Sequence, residues 1–193
     1  EGNNSLIYSI KNGHYKVVEF LLDNGANPES KSLIHNQSAL VYAASEGHFD
    51  IVKLLVKSGA NVNAASKKTS TAITHAAYDG NIEMDKFLIA SGADINKNSG
   101  LLGTPLISSS YKGQLEMVKF LLGSGANVNE SSEILNTALY SAVDNGHTEV
   151  AKVLLSYEAN VNTFNEHGNT PLMNTASKGN IELVKLLSES NSF

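Results

Sequence analysis

The feature that most constrains the fold is a string that recurs about every 33 residues along the chain. Its clearest copy begins at Gly47, where Gly-His breaks one helix. The apolar stripe of the next helix is then formed by Ile51, Val52, Leu54, Leu55 and Val56. Gly59 can end that helix in the left-handed conformation. The first glycine of the string returns at Gly13, Gly47, Gly80, Gly113, Gly146 and Gly179, with spacings of 34, 33, 33, 33 and 33 residues. A fixed period of this length predicts a solenoid.

Two copies of the string carry a Thr-Pro-Leu triplet nine residues before their glycine, beginning at Thr104 and Thr170. The triplet and the period resemble the ankyrin repeat, whose signature is T-P-L-H-x-A. The resemblance implies an α-helical solenoid of helix-turn-helix repeats, with short β-hairpin loops and a concave face. We expect one domain over residues 1–193, in which five full repeats follow a truncated first one. The predicted repeats span residues 1–27, 28–61, 62–94, 95–127, 128–160 and 161–193.

The composition fits an ordered chain without disulfides or thiolate metal sites. Hydrophobic residues make up 41% of the sequence, and cysteine is absent. This content favours an aliphatic core, and nothing in it points to an oxidising compartment, so we expect an intracellular setting, cytoplasmic or nuclear. The sequence contains no apolar run of about 18 residues, and we therefore expect no membrane insertion. We also expect a monomer.

The charge of the chain argues against nucleic acid as a partner. The net charge is −5, and all 14 positive residues are lysines. Phosphate contacts need clustered positive charge, and bidentate reading of bases favours arginine. The only adjacent basic pair is Lys67-Lys68. A protein or peptide partner is the better expectation.

The histidines and serines do not form a pattern typical of catalysis. Three of the six histidines follow a helix-ending glycine, and these are His14, His48 and His147. One repeated structural position explains all three, because residues one repeat apart lie on successive turns of a stack and do not converge on one ion. The sequence has no HExxH spacing and no G-x-S-x-G elbow. We expect no enzyme activity, no cofactor and no metal.

The resemblance also implies where a partner would bind. In ankyrin proteins the partner lies in a groove formed by the hairpin tips and the exposed ends of the first helices. The helix-end residues this implies here are Tyr78, Asp79, Tyr111, Lys112 and Asp144, and the hairpin residues are Ile34, Lys67, Lys68, Leu101 and Ile134. We expect Tyr78 and Tyr111 to stack and to form one apolar patch with Leu101 and Ile134. The alternatives are that both rings pack onto their own helices, or that these are scattered surface residues of no consequence.

The sequence therefore predicts a non-catalytic protein-interaction module that binds a protein or peptide through its concave groove. The alternative is a regulatory or targeting ankyrin domain excised from a larger enzyme, channel or effector. One loop position resembles the asparagine that is hydroxylated in some ankyrin proteins, and its members are Asn63, Asn96, Asn129 and Asn162. A turn-forming role is a sufficient reason for asparagine at this position.

Three departures from the repeat predict local weakness. Asp85 takes a position on the apolar stripe that is valine in four other repeats, at Val18, Val52, Val118 and Val184. Glu158 stands where other copies have a helix-ending glycine, so a positive φ there would cost about 1 kcal/mol. At the start of the chain, we expect Leu6, Ile7 and Ile10 to lack a covering neighbour and the first repeat to be the least stable.

Overall fold

The computed structural model describes residues 5–32, 36–65 and 70–190. Within these residues the chain forms six helix pairs, here called units 1 to 6. The first helices of the units are α1 (Ser5–Lys11), α3 (Ala39–Ser45), α5 (Ala72–Asp79), α7 (Pro105–Lys112), α9 (Ala138–Asp144) and α11 (Pro171–Ser177). The second helices are α2 (Tyr15–Asp23), α4 (Phe49–Lys57), α6 (Ile82–Ala90), α8 (Leu115–Gly123), α10 (Thr148–Ser156) and α12 (Ile181–Ser190). Each first helix packs on the first helix of the next unit. This is the α-helical repeat fold that the period predicts.

A hydroxyl side chain starts the first helix of each unit from 2 to 6. Its oxygen accepts a hydrogen bond from the backbone N–H three residues later, which satisfies a donor that the helix cannot pair itself. These N-cap residues are Ser38, Thr71, Thr104, Thr137 and Thr170. Pro105 and Pro171 then take the first helical position, where a missing N–H costs nothing. The Thr-Pro-Leu triplet therefore caps and starts the first helix of a unit.

The loops between units contain short antiparallel contacts. Strand β1 (Ser131–Ser132) pairs with β2 (Asn136–Thr137), and Asn136 adopts a φ of 60° at the start of β2. Single antiparallel bridges join Lys31 to Ser38 and Ser99 to Gly103. The predicted hairpins are thus present in reduced form at these three loops, which precede α3, α7 and α9.

A ladder of side chains links the loops of successive units. The Oδ1 atoms of Asn63, Asn96 and Asn129 each accept a hydrogen bond of 2.8 Å from a backbone N–H of the next unit. In unit 1 the carboxylate of Glu29 takes the same register and accepts from Asn61 N at 2.6 Å. The asparagine register therefore has a structural role between units.

The core lies between the two rows of helices. Small residues such as Ala43, Ala44, Ala76 and Ala77 are buried on the first helices and allow close packing.

Glu158 ends α10 with a φ of 63°, so this residue does adopt the conformation that the repeat assigns to glycine.

The expectation that Leu6, Ile7 and Ile10 lack a covering neighbour is wrong. Leu6, Ile7 and Ile10 are 2%, 0% and 0% exposed, and they belong to the same apolar cluster as residues of units 2 and 3. The following unit covers them, because α1 packs directly on α3. The large apolar side chains that unit 1 exposes are instead Tyr8, Val17 and Phe20.

A polar layer interrupts the core where unit 3 meets unit 4. The buried apolar side chains of the described residues form two clusters, one ending with residues of unit 3 and the other beginning at Ala77. Several polar side chains are buried in these two units, including Thr71, Thr74, Asp85, Ser108, Ser109 and Ser110. The Ser108 hydroxyl donates to the backbone oxygens of Thr74 and Pro105, whereas neither carboxylate oxygen of Asp85 has a hydrogen-bond partner among the described residues.

Candidate functional site

Two tyrosines mark the exposed ends of neighbouring first helices. Tyr78 lies in the last turn of α5, and Tyr111 lies in the last turn of α7. Their rings stack with centroids 6.4 Å apart and planes 16° apart, and both side chains are half-buried. The Nζ atom of Lys112 lies 4.8 Å from the centroid of the Tyr78 ring, which is a cation–π distance. The rings pack on each other, as the repeat register predicts.

The helix ends that carry these tyrosines are tied to the next unit. His147 Nε2 lies 3.0 Å from the backbone oxygen of Tyr111, and Gln114 Nε2 donates to the backbone oxygen of Tyr78 at 3.4 Å. Both contacts satisfy carbonyl groups that a helix end leaves unpaired. The two rings therefore stand on backbone that is held by a neighbouring unit.

A cleft of about 240 Å³ opens beside Tyr111. Its walls come from the hairpin β1–β2, from α9 and from the loop that precedes α11. The side chains that matter chemically are Tyr111, Glu133, Ile134, Tyr140, Asp144 and Glu166. The cleft brings together three of the residues predicted for partner binding, which are Tyr111, Ile134 and Asp144.

Asp144 is the most firmly held carboxylate of the cleft. Its Oδ1 accepts hydrogen bonds from Asn174 Nδ2 at 2.6 Å and from Lys178 Nζ at 2.5 Å, and Lys178 also donates to the Asp144 backbone oxygen. Burial tends to raise the pKa of Asp144, but the hydrogen bonds from Lys178 and Asn174 outweigh it and lower this pKa. Asp144 is therefore ionised at neutral pH and joins α9 to α11.

The comparison with protein families assigns this architecture. A model described as ankyrin repeats in three copies matches residues 40–132 and 106–193, and a single ankyrin repeat model matches residues 1–33. The chain belongs to the ankyrin repeat family. Ankyrin repeats are generally protein–protein interaction modules, and the family is typically non-catalytic. A comparison with curated proteins finds no match.

Tyr140 is the residue of this ankyrin cleft that sequence reasoning missed. It is 7% exposed, and its hydroxyl oxygen accepts from Asn165 Nδ2 at 2.7 Å. Burial and the nearby charge of Asp144 raise the pKa of Tyr140, so the hydroxyl keeps its proton at neutral pH. The sequence could have pointed to Tyr140, because the same register holds Val41, Thr74, Ile107 and Met173 in other units. A phenol among these residues stands out.

The remaining predicted binding residues lie in different surroundings. Leu101 and Ile134 are 59% and 61% exposed, and Ile134 lines the cleft whereas Leu101 does not. Asp79 is exposed at the end of α5, next to Tyr78. Three predicted residues, Ile34, Lys67 and Lys68, fall outside the described residues.

The described histidines of this ankyrin chain do not assemble into a metal centre. In the part of the chain that the structure describes, no group of three or more His, Asp or Glu side chains could hold a metal ion. His75 lies singly on α5, and burial lowers its pKa against the opposing effect of Asp79.

None of the described helices is both long enough and apolar enough to cross a bilayer.

Proposed function

We propose that this ankyrin domain binds a peptide segment of a partner protein along the ends of its first helices, centred on Tyr78 and Tyr111. The observation that carries the proposal is the stacked, half-buried tyrosine pair on α5 and α7. Tyrosine offers a large contact area with a polar tip at a small cost in conformational entropy, which is why it is frequent among residues that dominate binding. The neighbouring cleft and the exposed Ile134 extend the same surface.

The distribution of charge supports a protein partner over nucleic acid. On five second helices a lysine forms an ion pair of 2.5 to 2.8 Å with a carboxylate three residues away, and the pairs are Lys16–Glu19, Lys53–Asp50, Lys86–Glu83, Lys119–Glu116 and Lys152–Glu149. These lysines cannot form a basic surface for phosphates, because each one already faces an acid. We also propose that the domain acts as a monomer.

The test removes both rings from the proposed surface. Affinity capture followed by mass spectrometry identifies a candidate partner, whose Kd is then measured by calorimetry for the wild-type chain and for a Tyr78→Ala/Tyr111→Ala variant. We expect the variant to keep its melting temperature within a few degrees, because the rings are half-exposed. It should lose at least about 2 kcal/mol of binding free energy, which is about thirtyfold in Kd.

A matched control removes two exposed aromatic rings elsewhere. Phe20 in the last turn of α2 and Tyr157 directly after α10 are 65% and 47% exposed, and neither lines the cleft. The Phe20→Ala/Tyr157→Ala variant should bind the partner as the wild type does. Unchanged binding by the Tyr78→Ala/Tyr111→Ala variant, or equal losses in both double variants, would show that the partner does not use this surface.

A further inference from the structure

The cleft beside Tyr111 has an excess of negative charge. Glu133, Asp144 and Glu166 all line it. Lys178 neutralises Asp144, but no lysine of the described residues pairs with Glu133 or Glu166. In the described part of the chain Glu166 is paired only with His167, whose Nε2 lies 3.6 Å from Glu166 Oε1 and whose ring is charged only when protonated. Two exposed carboxylates therefore flank an aromatic and apolar wall without compensation.

The two stacked tyrosines differ in their contacts with cations. Lys112 lies over the ring of Tyr78, whereas no lysine of the described part of the chain lies over the ring of Tyr111. Tyr111 is the tyrosine that lines the acidic cleft. A cation beside Tyr111 would gain from the ring and from the carboxylates together, and such contacts strengthen when water is excluded.

The hydroxyl of Tyr140 adds an unused hydrogen-bond donor to the same wall. Its oxygen accepts from Asn165, but its own proton has no acceptor among the described residues, although the side chain is 7% exposed. A buried donor without an acceptor is costly unless a ligand or water supplies one. A peptide backbone carbonyl in the cleft is a suitable acceptor.

We propose that this cleft binds a lysine or arginine side chain of the partner segment, beside Tyr111 and between the carboxylates of Glu133 and Glu166. A residue next to this basic side chain is apolar and rests on Ile134, and the Tyr140 hydroxyl donates to the peptide backbone. The inference rests on the proposed function and specifies the chemistry of the partner. A basic side chain fits better than a metal ion, because the carboxylates do not converge as a metal site does.

The test uses random heptapeptides displayed on phage and selected on the wild-type chain. Enriched peptides are synthesised with their basic residue intact or replaced by glutamine, and their Kd values are measured by fluorescence polarisation. We expect the enriched peptides to share a lysine or arginine beside an apolar residue. Replacing that residue by glutamine should weaken binding about tenfold, and added salt should weaken the parent peptide more than the glutamine peptide.

Two double variants locate the effect on the protein. Glu133→Gln/Glu166→Gln removes the two uncompensated carboxylates and should weaken binding of the basic peptide about tenfold. Glu116→Gln/Glu149→Gln makes the same change of net charge on α8 and α10 and should alter binding less than twofold. Circular dichroism checks that both variants keep the helical fold.

The possible outcomes separate this inference from the proposed function. Peptides that need Tyr111 but bind equally well without a basic residue, or bind the Glu133→Gln/Glu166→Gln variant unchanged, would overturn the basic-residue proposal and leave the tyrosine surface intact. Peptides that bind the Tyr78→Ala/Tyr111→Ala variant unchanged would contradict the proposed function itself. A selection that enriches no peptide would count against both.

Discussion

His147 Nε2 lies 3.0 Å from the backbone oxygen of Tyr111, although the two residues are 36 positions apart in the sequence. The contact depends on Gly113, which has a φ of 72° and leaves room for the imidazole. A Cβ atom at Gly113 would lie 2.6 Å from His147 Nδ1. Because Gly113 has no side chain, His147 of the next unit can reach the end of the helix that carries Tyr111.

We predict that Gly113→Ala destabilises the chain more than Gly146→Ala. Both glycines have a positive φ, 72° and 75°, so each alanine should cost about 1 kcal/mol of backbone strain. Only the Cβ at position 113 meets His147, since nothing lies within 4 Å of the corresponding point at Gly146. Displacing His147 should add about 1 kcal/mol for the lost hydrogen bond. Urea unfolding of both variants measures the difference, and equal losses would contradict the role of His147.

We predict that the buried carboxyl of Asp85 makes the chain less stable as the pH rises. Burial raises the pKa of Asp85 from 3.8 to about 8. Below about pH 4 the group is protonated in both the folded and the unfolded chain, so its titration does not change the free energy of unfolding. Between about pH 4 and pH 8 the unfolded chain loses the proton while the folded chain keeps it, which costs about 1.4 kcal/mol per pH unit. Above about pH 8 the loss is complete.

The measurement compares the free energy of unfolding of the wild type and Asp85→Asn between pH 4.5 and pH 8. The advantage of the variant should grow with pH and reach a few kcal/mol. Asp50→Asn, which neutralises an exposed carboxylate on α4, controls for the loss of one charge and should show no such growth. A constant difference between Asp85→Asn and the wild type would show that Asp85 is ionised in the folded chain.

We predict that Asp85→Val raises the free energy of unfolding at neutral pH by at least about 1–3 kcal/mol, the cost of burying an unpaired polar group. The carboxyl is 0% exposed and has no hydrogen-bond partner among the described residues, so its replacement by an apolar side chain removes an uncompensated polar group. The equivalent residues Val18, Val52 and Val118 are each 0% exposed, which shows that the register accepts valine. Thermal unfolding is the measurement, and a lower stability of the variant would mean that the aspartate is satisfied in solution.

We predict that Asn129→Ala costs about 1 kcal/mol of stability while Asn162→Ala is close to neutral. Asn129 Oδ1 accepts from Asn160 N at 2.8 Å, and its Nδ2 donates to the Glu158 backbone oxygen at 3.3 Å. Asn162 has the same register, but no side-chain hydrogen bond links it to another unit of the described chain. The loss should therefore follow the contact between units, not the residue type. Equal effects in denaturant unfolding would argue against the ladder.

The repeat period made much of this fold predictable from the sequence. Residues 33 positions apart fall at the same register of a stack, and this is why Tyr78 and Tyr111 could be placed side by side. The period also identified Asp85 as a carboxylate on a buried stripe. Sequence reasoning failed for Leu6, Ile7 and Ile10, because it considered only a preceding neighbour, whereas α3 of the following unit covers them.

The sequence by itself determined the helix pairs, their caps and the register that aligns the two tyrosines, because these depend on local propensity and on a fixed spacing. Only the tertiary structure decided which charges are already paired. Lys112 lies over Tyr78 and Lys178 holds Asp144, while Glu133 and Glu166 remain without a lysine in the described chain. The same structure joined Tyr140 to Asn165 and placed both in one cleft. Such contacts depend on side-chain conformations and on residues from different units, and a repeat period fixes neither of these.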